Sequence, residues 1–443
     1  MTGKKEKQWT VMVYLAGDNN LDSAGVADLR EMKKVGSTEG VNVIAQFDRQ
    51  GEDVATNRYY IRKGGSLKND VVGSLGETNT GDPRVLEGFI QWGVENYPAQ
   101  HYLLVAWNHG NGWNDENVYR VATKTLNMNV RRRGTMLSGA VSRAKGEMKD
   151  AVSMRRIRVV GGKNFRRAFF STSIAKAVRR RGIAYDDHAQ DFLDNIEMKK
   201  LLLSAKKRLK RKIDILGMDA CLMSMAEVNY QLRDAVLLTV GSEEVEPGDG
   251  WPYDRVLDDL VRKPTMMPQE LAALIVKKYV DSYPSTSGVT QSACDLMKSD
   301  QLAKSVDRLA RALSDCLSDS TARVAIVDSR LQAQSYDTPD YVDLYDFCGL
   351  LEAKSGVAGI KAPCQKVKKT IRPDGVVISS GYKGAAVKHS NGLSIYFPLK
   401  SISPLYRTLD FTKKTAWGKF LQAYVSFTRR PGGSGSTVRT MNR

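Results

Sequence analysis

The chain has 443 residues, and 67 Lys and Arg against 49 Asp and Glu give it a formal net charge of +18. Its length implies roughly two to three domain units, or one large core with appended parts. With 42% hydrophobic residues it can bury a sizeable core, which excludes a disordered protein.

No apolar stretch approaches the ~18 residues of a membrane span. Lys4, Lys5 and Lys7 resemble the start of a signal peptide. The apolar run Val11 to Ala16 is short, however, and leads into Gly17-Asp18-Asn19-Asn20 rather than a cleavage site. The expectation is a soluble chain, cytoplasmic or exported by a route not visible in the sequence.

The N-terminal part alternates strand and helix signals. Thr10 to Ala16 is β-rich, Ser23 to Lys34 reads as a helix, and Val41 to Phe47 is a second apolar strand. Asp82 caps a helix with Pro83 at its first position, and Leu86, Phe89, Ile90 and Gly93 fall on one face. Tyr102 to Trp107 is a third buried strand, ending in Asn108-His109-Gly110-Asn111-Gly112-Trp113.

Between Asn117 and Gly182 stand 18 Lys and Arg against two acids, Glu147 and Asp150. Sixteen of the eighteen excess positive charges therefore belong to this one segment. It has weak periodicity, and clusters at Arg131-Arg132-Arg133, Arg155-Arg156 and Arg179-Arg180-Arg181. Three readings stay open: a solvated insert, a patch for nucleic acid or another anionic surface, and a linker built to be cut after basic residues.

A helix resumes near Asp191, with Met198, Leu201, Leu202, Ala205 and Leu209 as its apolar stripe. Ile213 to Met218 is a fourth strand, ending in Asp219-Ala220-Cys221. Val236 to Val240 is a fifth, running into the acidic loop Glu243 to Asp249. The C-terminal third is more helical, with amphipathic candidates at Gln269 to Tyr283 and Gln301 to Leu317. Gly392 to Pro398 reads as one more buried strand, and the tail from Pro431 has a flexible linker composition.

Strands alternating with helices imply an α/β layered fold around a mostly parallel sheet, with helices on both faces. The expected organisation is a core over 8–260 interrupted by the basic insert 117–182. A C-terminal region over 261–428 completes that core, and a flexible tail covers 429–443.

Two strand ends carry chemistry. In parallel sheets, function gathers beyond the carboxyl ends of the strands. His109 lies just past the third strand and Cys221 just past the fourth. If those strands are neighbours, imidazole and thiol face one cleft, and the His can take the thiol's proton. The backbone N–H groups of Gly110 and Cys221 could then hold the developing oxyanion. Taken alone, each has a plainer reading: a small core cysteine and a turn histidine. The five cysteines include no Cys-x-x-Cys pair, which argues against a disulfide scaffold or a zinc ribbon. The four scattered histidines, His188 and His389 among them, make no zinc cluster.

The segments VMVYLAGDNNLD, VNVIAQFDR, HYLLVAWNHGNGW, IDILGMDACLMSMAEV, GSEEVEPGDGWPY and HSNGLSIYFP resemble the clostripain family of cysteine peptidases, of the caspase-like clan. The resemblance runs from about Thr10 to about Phe427 apart from the basic insert. It implies a caspase-like layered fold, with His109 as acid/base, Cys221 as nucleophile and cleavage after Arg or Lys. Asp219 and Asp249 would form the primary specificity pocket, since a buried carboxylate pairs well with a guanidinium. Trp251 would either wall that pocket or serve as core packing.

The resemblance further implies self-cleavage between the His and Cys blocks, leaving two chains that stay together. Lys176, Arg179, Arg180 and Arg181 are the candidate positions. No cofactor is needed for the chemistry. Some family members depend on calcium, and Asp18, Asp22, Asp186 and Asp187 could supply oxygens, although no EF-hand-like loop is present. The expected partners are proteins or peptides with basic P1 residues, met by a monomer or a processed chain pair. The alternative is an inactive peptidase-like scaffold that binds nucleic acid or another anionic partner through the insert. A serine hydrolase is disfavoured, because no Gly-x-Ser-x-Gly elbow is followed by suitable partners.

Overall fold

The computed structural model describes residues 5–19, 21–50, 54–110, 112–113, 170–171, 192–193, 195–354, 356 and 358–429. The candidate cleavage residues Lys176 and Arg179 to Arg181 lie outside the described residues, as do Asp186, Asp187 and His188.

Residues with unbroken apolar runs make the central strands. They are β1 (Lys7–Gly17), β2 (Val41–Arg49), β5 (Ala99–Trp107), β8 (Ile213–Asp219) and β9 (Val236–Gly241), with β3 (Asn57–Tyr60) and β4 (Val71–Ser74) between β2 and β5. Two-residue strands β6 (Phe170–Ser171) and β7 (Phe192–Leu193) pair with each other. The C-terminal part adds β10 (Val289–Asp295), β11 (Tyr341–Asp343), β12 (Val377–Lys383) and β13 (Ser394–Tyr396).

Among the described residues the main sheet runs β12-β10-β9-β8-β5-β1-β2-β3-β4. Its five inner strands, β9 to β2, are parallel. Antiparallel strands flank them on both sides. The C-terminal third thus adds β10 and β12 to the sheet, while β13 lies outside it in an antiparallel pair with β11.

β1 shows why an unbroken apolar run suits an inner parallel strand. Met12, Tyr14 and Ala16 enter the core on one face, and Val11, Val13 and Leu15 enter the core on the other. Each such aliphatic side chain fully buried contributes roughly 1.5–3 kcal/mol. Helices α1 (Asp22–Val35) and α2 (Pro83–Asn96) cover opposite faces, through Leu29 and Met32 on one side and Leu86, Phe89 and Ile90 on the other. α3 (Asn195–Leu209) joins α2, whereas α5 (Tyr253–Arg262) and α6 (Pro268–Ser282) join α1. The short α4 (Ala226–Leu232) follows the Cys221 segment and is wholly buried.

Local signals set the boundaries. Asp82 accepts from the N–H of Arg84 and Pro83 opens α2, whose four buried residues are Leu86, Phe89, Ile90 and Gly93. α3 begins at Asn195 rather than near Asp191, because β7 occupies Phe192 and Leu193.

Candidate active site

β5 and β8 are adjacent and parallel, and their last paired rung is Trp107 with Asp219. His109 and Cys221 each stand two residues beyond it. The N–H of Asn108 donates to the carbonyl of Asp219 at 3.3 Å, carrying the pairing one step past the sheet. The Asn108 Oδ1 accepts from the N–H of His109 at 2.6 Å and from Asn19 Nδ2 at 3.1 Å. Asn19 follows β1, so one side-chain amide ties the exits of β1 and β5 to the His109 backbone.

Gly110 makes the approach possible. A Cβ added there would lie 2.5 Å from the carbonyl oxygen of Cys221 and 3.0 Å from its nitrogen. Both distances are below any ordinary contact, so only glycine lets the His109 turn lie on the Cys221 backbone.

Cys221 is held by the loop after β9. The N–H of Glu246 donates to Sγ at 3.3 Å, and Sγ lies 3.8 Å from the Glu246 carbonyl. Leu222 takes φ of 63°, a left-handed conformation that costs a non-glycine residue roughly 1–2 kcal/mol. The surroundings fix it there. The N–H of Leu222 donates to the Glu244 carbonyl at 3.2 Å, and that of Ser224 to the Ser242 carbonyl at 2.8 Å. From the far side, β13 grips the same segment, with the Ser394 N–H donating to the Ser224 carbonyl at 3.0 Å. His109 and Cys221 are both buried, at 2% and 3% exposure. Burial pushes the His109 imidazole down to about 4, so it is neutral at pH 7.

Beside the thiol lies a pocket of carboxyls. Asp219 accepts from the Tyr253 hydroxyl at 2.8 Å and from the Trp251 N–H at 3.3 Å. Burial pushes its carboxyl up to about 6. Glu246 is buried, lies close enough to Asp219 for the two carboxyls to act on each other, and accepts from Gln291 Nε2 at 3.1 Å. Asp28, projecting from α1, is held well above the usual carboxylate range by burial and then by the charge of Asp219. Asp249 is exposed and close enough for its charge to act on Asp28. Gly250, at φ of +57°, lets the backbone pass this group: a Cβ there would stand 3.1 Å from Asp219 Oδ2.

The acidic loop therefore divides. Glu246 belongs with Asp219, and Asp249 acts on Asp28. Glu243 turns away to the C-terminal segment, accepting from the Gly392 N–H at 2.8 Å and feeling the charge of Asp343. Glu244 accepts from the N–H groups of Val245 and Asp337. Trp251 is 1% exposed, and its ring packs where a Gly217 Cβ would be, 2.7 Å away, so its indole is core packing.

Of the calcium candidates, Asp22 is taken up by a fork of hydrogen bonds from Arg49, both 2.9 Å, and Asp186 and Asp187 are outside the described residues. Among the described residues no group of three or more His, Cys, Asp or Glu converges to hold a metal ion.

Sequence reading missed Asp28, Gln291, Tyr253 and the tying role of Asn19 and Asn108. Asn108 had a signal, being next to His109 at a strand exit. An acid within a helix and a glutamine within a polar strand carry none.

An α/β sheet with a buried His and Cys at neighbouring strand exits is suited to thiol chemistry, and the sequence comparisons give it its class. The clostripain family model matches residues 13–137 and 172–424, most of the chain, and passes over 138–171 in the basic insert. The chain belongs to the clostripain family of cysteine proteases. It is 25% identical over 456 residues to clostripain of Hathewaya histolytica, covering 89% of this chain and 75% of that protein.

Two solved structures share the fold. One is a secreted C11 cysteine protease from Bacteroides thetaiotaomicron in complex with an irreversible peptide inhibitor. It has a TM-score of 0.58 and 19% identity, over 93% of this chain and 99% of that one. The other is an inactive zymogen C11 protease from Parabacteroides distasonis, with a TM-score of 0.59 and 19% identity over the same shares. Family membership implies peptide substrates. Among the described residues no helix is long and apolar enough to cross a membrane.

Proposed function

We propose that this protein is an endopeptidase that cleaves after Arg or Lys through a Cys221–His109 dyad and cuts its own chain in the basic insert. The observation that carries the dyad is the shared rung: both residues stand two positions past Trp107 and Asp219, with Gly110 against the Cys221 backbone.

The chemistry follows from the positions. Cys221 Sγ attacks the scissile carbonyl carbon while its proton passes to neutral His109. The N–H groups of Gly110 and Cys221 face the carbonyl oxygen as it gains charge. His109 then gives the proton to the leaving amine, and a thioester remains on Sγ. Water, losing a proton to His109, attacks the thioester; the acid leaves and the thiol re-forms.

Asp219 and Asp249 support basic specificity. The carboxyls grouped next to Sγ act on one another as like charges, and the neighbours that hydrogen-bond to Asp219 and Glu246 are neutral. A guanidinium or ammonium entering from substrate would bring a positive charge to Asp219, whose hydrogen-bond donors are neutral.

Self-processing rests on the same pocket. The insert, residues 117–182, follows Trp113 in sequence, and Trp113 is buried against Tyr396 and Tyr406 at centroid distances of 4.7 and 4.9 Å. Its 18 basic residues offer what the acidic pocket selects, with Lys176, Arg179, Arg180 and Arg181 as the candidate positions.

The test uses arginyl, lysyl, aspartyl and leucyl reporter peptides with wild type and Cys221→Ala, with and without calcium. The expected result is cleavage of the arginyl and lysyl reporters by wild type alone, and a chain that splits in two only in wild type. Turnover by Cys221→Ala would reject the dyad, and cleavage without basic preference would reject the pocket.

A further inference from the structure

The carboxyl next to the nucleophile is one of a pair. Glu246 is 4% exposed and Asp219 is 5% exposed, and their side chains are close enough to act on each other, with the Glu246 N–H on the thiol that follows Asp219 by two residues. Two buried carboxyls this close together cannot both ionise without repulsion, and one shared proton would relieve it. Among the described residues, the hydrogen-bond donors to the pair are neutral. One Glu246 oxygen accepts from Gln291, while Oε2 meets no N–H or hydroxyl donor among the described residues. The Tyr279 hydroxyl, fully buried on α6, also has no hydrogen-bond partner there, although it feels the charges of Glu246, Asp219 and Cys221.

Among the described residues, the titratable groups that act on the pair or feel it are Asp28 on α1, Cys221 after β8, Tyr253 on α5 and Tyr279 on α6, with Asp249 of the same loop acting on Asp28. None of them is a cation at neutral pH. Burial raises both members of the pair, and the charge of the Asp219 carboxylate then raises Glu246 further.

We propose that Glu246 is a third carboxyl of the specificity pocket, sharing a proton with Asp219 before substrate binds and releasing it to solvent when a basic P1 side chain enters. This deepens the reading of a basic P1 preference and rests on it. The arriving guanidinium or ammonium takes over the role of the proton. An N–H···O hydrogen bond from the substrate replaces the O–H···O bond within the pair, and the pair changes from one negative charge to two. Capture of a basic side chain is thereby linked to pH: affinity rises as the shared proton becomes easier to lose. Glu246 also sets the thiol, through its N–H on Cys221 Sγ, so recognition and nucleophile share one loop residue.

The experiment is a calorimetric titration of full-length Cys221→Ala, nicked in the insert by brief trypsin treatment. An arginyl peptide is titrated at neutral pH in two buffers of different ionisation enthalpy, and a leucyl peptide serves as control. The expected result is release of about one proton per arginyl peptide bound, read from the difference between buffers. In Cys221→Ala/Glu246→Gln that release disappears and the arginyl peptide binds about 10-fold more weakly. On the active background, Glu246→Gln raises KM for the arginyl reporter by a similar factor and leaves KM for the leucyl reporter in place.

Identical heats in the two buffers, or release that persists in the Glu246→Gln protein, would overturn the inference and leave the basic preference standing. An arginyl peptide that binds no better than the leucyl one would overturn both. If Glu246→Gln does not fold, the two-buffer comparison on Cys221→Ala still decides.

Discussion

His109 and Cys221 stand equally far, two residues, past the last rung that β5 and β8 share, the pair Trp107 and Asp219. Parallel register thus brings the imidazole and the thiol to one end of the sheet without help from long loops. In the same register Asp219 sits on the rung itself, directly before the nucleophile turn. A single pair of strands delivers the proposed nucleophile, its proposed base and the first acid of the proposed specificity pocket.

Gly110 tests this arrangement most locally. In Gly110→Ala the new Cβ would press on the Cys221 carbonyl from 2.5 Å. The turn must shift, and with it His109. The expected outcome is at least ~100-fold lower kcat/KM, with a stability loss of roughly 1–3 kcal/mol. Reporter kinetics and denaturant unfolding measure the two effects. Wild-type kinetics in this variant would mean that the approach of the two exits is not needed.

The burial of Asp219, the carboxyl proposed for recognition, comes at a cost to the fold. Its carboxyl stands at about 6 in the folded chain against a usual 3.8. The unfolded chain therefore ionises first as pH rises. The folded state is penalised increasingly between those two values, and the penalty is constant above them. Below about pH 4 neither state is ionised and the penalty vanishes. Asp219→Asn should stabilise the protein by about 1–3 kcal/mol at neutral pH and by little in acid. It should also abolish preference for arginyl over leucyl reporters. Thermal melts across pH check the first outcome, and the reporter panel checks the second.

His109 gives the opposite slope. Burial holds it near 4 against 6.5. On acidification the unfolded chain takes up a proton at 6.5, and the folded chain does not until about 4. Stability attributable to a neutral buried imidazole is thus full above 6.5 and is lost as pH falls through that window. His109→Asn should lose this slope and resist mild acid better than wild type, while losing turnover. Melting temperatures of the two proteins from neutral pH down to about pH 4 decide it; parallel curves would contradict a buried neutral His109.

The insert supplies a fourth test. Replacing Lys176, Arg179, Arg180 and Arg181 together by Gln should keep the chain whole if one of those bonds is the processing site. Cleavage at the same mass in the substituted chain, read by intact-mass spectrometry, would move the site elsewhere in the insert.

Much of this was legible in the sequence because inner parallel strands are apolar on both faces. Val11 to Ala16, Tyr102 to Trp107 and Ile213 to Met218 have no polar alternation to confuse them. Their exits were marked by His109 and Cys221, so the candidate site could be proposed before the order of strands was known. β10 was not legible. Its residues Thr290, Gln291 and Ser292 are polar yet buried, because they hydrogen-bond to Ser242, Glu246 and Ser224. A strand whose polarity is satisfied by distant residues looks like a loop when read locally. Glu246 was hidden for a related reason. In sequence it is one acid among four, and only the fold separates it from Glu243, which serves the C-terminal segment instead.

The most direct measurement is covalent labelling of the wild-type chain, before and after a brief trypsin nick of the insert. An arginyl and a leucyl halomethyl ketone peptide are compared, and the modified residue is mapped by mass spectrometry. The expected result is rapid labelling by the arginyl reagent at Cys221 alone, with the leucyl reagent much slower. Equal rates for the two reagents, or label on Cys294, Cys316, Cys348 or Cys364 in place of Cys221, would contradict a dyad built beside an acidic pocket.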